Sequence, residues 1–166
     1  MKTHTLILGA IIVFSSLAGY AHLSKESQTM EENYYFKTTV RGSLKDVKAK
    51  TMEVFKTQGF GLISEIPMHE KLAEKLDDID MNPYYIMGFC NPGYAYKTLQ
   101  LEENIGLFLP CKVIVRDNGN GTVDVVAINP EKAMKAIGNK ELETVAGEVT
   151  EKFRVAIEQM PETVNN

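Results

Sequence analysis

The run from Tyr84 to Cys90 carries no charged side chain and ends against Asn91 and Pro92, and this stretch constrains the fold more than any other in the chain. A strand with one face in water alternates polar and apolar residues, whereas an uncharged one belongs inside a sheet with both faces covered. The run is therefore predicted to be the central strand. Asn91 is a good helix N-cap, because its side-chain oxygen can accept from an otherwise unpaired backbone N–H, and Pro92 suits the first helical position. A helix should follow at once, carrying Tyr94, Ala95, Thr98 and Leu99.

The remaining elements follow from the same reasoning. Residues 34–41, rich in aromatic and β-branched side chains, read as a first strand closed by Gly42. Ser43 with Asp46 marks a helix start, and Leu44, Val47, Thr51, Val54 and Phe55 recur at helical spacing up to a stop at Gly59. A strand is predicted over 60–66, ended by Pro67, then a short helix over 68–76 and a loop over 77–83. Val113 and Val115 alternate with Lys112, Ile114 and Arg116. The glycine-rich segment 117–121 then turns the chain, and Thr122–Ile128 returns as the second arm of a hairpin. Asn129 and Pro130 repeat the cap-and-proline start for a helix stopped by Gly138. Leu142, Val145, Val149, Phe153, Ala156 and Met160 line one stripe of a last helix.

Strands and helices in this order predict an α+β two-layer sandwich, with a largely antiparallel five-stranded sheet packed against helices. A chain of 166 residues, 44% hydrophobic and 24% charged, can bury the core that such a fold needs. No repeat or linker interrupts 33–160, so one globular domain is expected there, after a polar, flexible lead-in over 22–32 and before a frayed tail over 161–166.

The first residues give an address. Lys2, the apolar run 6–17 and small residues up to Ala21 have the shape of a signal peptide, 1–21, cleaved after Ala21. The run falls short of the roughly 20 residues that cross a bilayer, so no stable membrane insertion is expected once it is removed. The mature chain is expected in the periplasm or outside the cell. Cleavage removes one positive charge, Lys2, and no negative one, which moves the net charge from −4 to −5. An acidic chain without a basic stripe argues against nucleic acid as a partner.

Several motifs together carry a family resemblance. They are Gly59-Phe60-Gly61-Leu62-Ile63, then Pro83 followed by Tyr84 through Pro92 with its Gly-x-Cys-Asn-Pro element, then Ile105-Gly106-Leu107-Phe108-Leu109-Pro110-Cys111-Lys112-Val113, and Asn129-Pro130. In this order the chain resembles the family called domain of unknown function 302 over nearly all of its mature length. Tyr85 stands where the family leads one to expect a basic residue, and Met87 where it leads one to expect leucine. The resemblance implies a compact α/β sandwich, often paired as a homodimer, with no established activity or cofactor.

The one candidate site is built on the two cysteines. Cys90 directly precedes the N-cap Asn91, where the positive end of a helix favours a thiolate, so a more acidic thiol is expected there. Cys111 opens the next strand, and the two sulfurs meet only if that strand runs antiparallel to the first. In an exported protein the pair could be a structural disulfide or simply buried, and Cys is among the most buried residue types. It could also be a redox-active or ligand-binding dithiol. A third reading, a soft-metal site helped by His69 or a methionine, has no C-x-x-C and no histidine pair behind it, and no metal is expected.

Other features have plainer readings. The segment Asp117 to Asp124 resembles a calcium loop, but Gly119 and Gly121 stand where an EF-hand needs oxygen ligands, so it reads as a hairpin turn. Tyr84, Tyr85, Phe89, Tyr94 and Tyr96 read as a cluster belonging to the core. With no catalytic signature and no cofactor indicated, the sequence favours a non-enzymatic binding or interaction module for an unknown small molecule or protein. The alternative is a thiol-disulfide or sulfur-handling protein using Cys90 and Cys111.

Overall fold

The computed structural model describes residues 34–164. The expected signal peptide and the whole of the lead-in lie outside these residues. The chain runs β1 (Tyr35–Arg41), α1 (Leu44–Thr57), β2 (Gly61–Pro67), α2 (Met68–Ala73), β3 (Tyr84–Cys90) and α3 (Pro92–Leu101). A 3-10 helix over Glu103–Phe108 leads to β4 (Cys111–Asp117) and β5 (Thr122–Ile128). Then come α4 (Pro130–Met134), a 3-10 turn over Lys135–Ile137, and α5 (Lys140–Glu158).

The five strands form one sheet in the order β1-β5-β4-β3-β2, antiparallel at every pairing. The predicted α+β sandwich is the architecture found. The helix starts behave as the sequence indicates: Ser43 accepts from Asp46 N, Asn91 from Tyr94 N and Asn129 from Lys132 N. Gly138 ends its helix with φ 71°, a left-handed position that suits glycine.

Alternation along the strands sends one set of side chains toward the helices. Phe36, Val40, Met87, Phe89, Val113 and Val125 are buried there against α1 and α5. Three rings lock the layers: Phe55 of α1 lies 4.7 Å from Phe89 and 5.0 Å from Phe153 of α5. The intervening residues point away from the helices. Among them Ile66, Ile86, Ile114 and Val126 align in one row across four strands.

Four expectations change. The uncharged run, β3, lies inside the sheet but not at its centre, which β4 occupies because the β4–β5 hairpin inserts between β3 and β1. Nor is β3 covered along its whole length: Tyr84–Ile86 are half-buried, and only Met87–Phe89 are buried. Gly88 is hemmed in by Ser64 and Pro110, so closely that a Cβ there would fall 2.3 Å from Ser64 Oγ. The short helix α2 stops at Ala73 and buries no side chain, with Leu76 exposed beyond it. The tail does not fray over its described part, for Arg41 N–H donates to Glu162 O at 2.9 Å and Val164 N–H donates to Arg41 O at 2.8 Å.

Candidate functional site

Because β3 and β4 are antiparallel with Phe89 opposite Cys111, the residue after Phe89 and the first residue of β4 lie at the same end of the sheet. The structure thus brings Cys90 and Cys111 together, as the antiparallel case requires. Both are free thiols, Cys90 half-buried and Cys111 buried, and no disulfide joins them. Asn91 organises the junction from both sides. Its Oδ1 accepts from Tyr94 N at 3.1 Å, while its Nδ2 donates to Gly59 O at 2.8 Å, tying the start of α3 to the turn after α1.

The two cysteines line a cavity of about 30 Å3 with Tyr94, Leu109, Met134 and Val149. That is room for little more than one water molecule, within a lining that offers few polar partners. It is an order of magnitude below the ~300 Å3 at which drug-sized ligands begin to fit.

The expected acidity of Cys90 is not what the environment produces. Burial pushes the Cys90 thiol up from its ordinary value. Cys111 is pushed up to about 11, first by burial and then by the neighbouring Cys90, with Lys112 opposing. Burial is the cause of the Cys90 shift, and the helix start does not offset it. Pro92 has no N–H, and the Tyr94 N–H is already bonded to Asn91, so little of the helix's positive end is left to stabilise a thiolate.

The other residues singled out by the sequence are dispersed. His69 accepts from the Tyr84 N–H at 3.2 Å, which places it at the opposite end of β3 from Cys90 and removes it from any shared metal site. No group of three or more His, Cys, Asp or Glu that could hold a metal occurs among the described residues. The five aromatic residues do not form one cluster: Phe89 is core, Tyr94 stacks on Phe60 at 6.2 Å, and Tyr96 is exposed. No helix among the described residues is long and apolar enough to cross a membrane.

One cluster escaped the sequence reading. Asp124 of β5 is 3% exposed, although it lies on the side of the sheet away from the helices. Its Oδ1 accepts from Thr39 Oγ1 at 2.7 Å and from Asn118 Nδ2 at 3.2 Å. Its Oδ2 accepts from Arg116 Nε and Nη2 at 3.1 and 2.8 Å, and Lys37 Nζ lies at 2.8 Å. Burial opposes the charge on this carboxyl, yet the bonds from Lys37, Thr39, Arg116 and Asn118 outweigh it and hold the group well below the usual carboxylate range. A signal for it existed. Arg116 and Asp124 face each other across the hairpin, so a register read from the 117–121 turn pairs the two charges.

A family model described as Domain of unknown function DUF302 matches residues 36–160. Among solved structures, the crystal structure of an uncharacterized conserved protein DUF302 from Bacillus stearothermophilus resembles this chain with a TM-score of 0.70 at 25% identity. The match covers 77% of this chain and 98% of that one. No curated protein matches the sequence. Since the family match runs from the first strand to the end of the last helix, the chain belongs to the DUF302 family.

Proposed function

We propose that the protein is an exported, non-enzymatic binding or interaction module, acting as a homodimer in the periplasm or outside the cell, in which Cys90 and Cys111 serve packing. One observation carries the reading on the thiols: the residues with the most distinctive chemistry sit side by side, unbridged, and burial raises both above the ordinary thiol value. A nucleophilic cysteine needs the reverse, a surrounding that favours the thiolate. The export reading rests on Lys2, the apolar run 6–17 and Ala21, and the dimer on the resemblance to the family. The rival is a thiol-disulfide protein in which Cys90 attacks and Cys111 resolves, and the adjacency of the two residues favours it.

One preparation separates the two readings. Protein taken from its native host and treated with iodoacetamide at neutral pH without denaturant is expected to show an intact mass starting at His22 and no adduct. It should elute at twice the chain mass. Rapid labelling of one cysteine, or a mass two hydrogens lighter that reductant restores, would move the assignment to thiol chemistry or to a structural bridge.

A further inference from the structure

The side of the sheet that faces away from the helices carries an arrangement the proposed function leaves unused. Ile114 and Val126 are register partners in its middle, and Lys37 stands opposite Val126 on β1. With Ile128, two positions further along β5, they floor a groove of about 320 Å3 walled by Tyr34, Tyr35 and Tyr84. That volume falls within the ~300–1,000 Å3 of small-molecule sites.

The charge on this side is opposite in sign to that of the whole chain. Lys37, Lys112 and Arg116 line the groove, and Arg41 lies further along β1 on the same face. Against them, the strand residues of this face supply one carboxylate, Asp124, which is buried and already bonded to Lys37 and Arg116. The face is therefore cationic in a protein of net charge −4. Asp124 also fixes the Lys37 and Arg116 head groups in place, engaging two of the guanidinium N–H groups and leaving other donors on both residues for a ligand. Lys112 is exposed and engages no acid among the described residues.

These features select among occupants. A second copy docked through this face in a twofold contact would set the same cations against their own images, which is repulsive. An uncharged apolar ligand would leave the rim charges unused. An apolar floor beneath a cationic rim suits a molecule with an apolar body and one negative head.

We propose that this groove binds a small anionic amphiphile, an organic carboxylate whose chain or ring lies on Ile114, Val126 and Ile128 and whose head group faces the rim cations. This site is independent of the thiols. A null result leaves the packing role of Cys90 and Cys111 intact, and a reactive Cys90 leaves this site intact.

Calorimetric titration of the purified protein with decanoate and with decanol tests it. Decanoate is expected to bind one-to-one and about tenfold or more tighter than decanol. Lys112→Glu reverses the one rim cation that has no acid of its own, and should weaken decanoate about tenfold while the thermal midpoint stays put. The proposal is overturned by absence of decanoate binding, by equal affinity for decanol, or by undiminished binding in Lys112→Glu. It is equally overturned if Lys112→Glu turns a dimer into a monomer, because a second copy would then cover the face.

Discussion

Asp124→Ala is expected to lower the unfolding free energy by about 3 kcal/mol, far more than an ordinary surface substitution. Removing the carboxylate strips acceptors from four side chains at once: Thr39 on β1, Arg116 on β4, Asn118 in the hairpin turn, and Lys37. The Lys37 and Arg116 side chains are 40% and 43% exposed, so water takes over part of their solvation and keeps the cost at the lower end of that for a broken buried pair.

The same residue sets a pH dependence with a defined sign. A carboxyl held below its unfolded value, ~3.9, stabilises the fold at all higher pH and loses that contribution as pH falls through the folded value. Urea unfolding should therefore show wild type and Asp124→Asn differing most near about pH 7, by a smaller but still clear margin near about pH 3, and converging only at lower pH still. A gap that stays constant between those two pH values would mean that the hub's bonds do not favour the ionised carboxyl.

Phe153→Ala should cost about 4 kcal/mol, the larger of the two stability effects. Phe153 is fully buried on α5, with edge-to-face contacts at 5.0 Å to both Phe55 and Phe60. These rings come from α1, the residue just before β2, and α5, so truncation opens a cavity where three segments meet rather than at a rim that could collapse. Urea unfolding at neutral pH should show the lower midpoint with an unchanged slope, and Phe153→Leu should recover more than half of the loss. A loss below about 1 kcal/mol would show that the site refills on truncation.

What the sequence disclosed and what it concealed divide along the distance between partners. The hairpin was legible because its turn residues are local: Gly119 and Gly121 adopt φ 73° and 79°, and the valines on either side alternate. Helix starts at Ser43, Asn91 and Asn129 were legible for the same reason, a cap and its target lying three residues apart. The strand order was not, because an uncharged run reports burial without reporting which strands flank it. Within β3, Ser64 and Pro110 leave no room for a side chain at Gly88, a contact among three separate segments that no local pattern reports. The tail gave no signal, since Glu162 and Val164 bond to Arg41 through backbone alone. The cysteine pair was conditionally legible: its geometry hung on strand direction, while its electrostatics hung on how the helix start spends its own N–H groups. The Arg116 side of the Asp124 cluster was within reach of a hairpin register, whereas Thr39, 85 positions away, was not.

The rate of iodoacetamide addition to Cys90 in the folded protein, followed by mass spectrometry from neutral to alkaline pH, tests the packing role of the thiols most directly. Burial as the dominant influence predicts slow addition at neutral pH and an inflection above the ordinary thiol value, ~8.5, with Cys111 slower still. An inflection for Cys90 below that value, with fast addition at neutral pH, would contradict it and make the start of α3 a site of thiol chemistry.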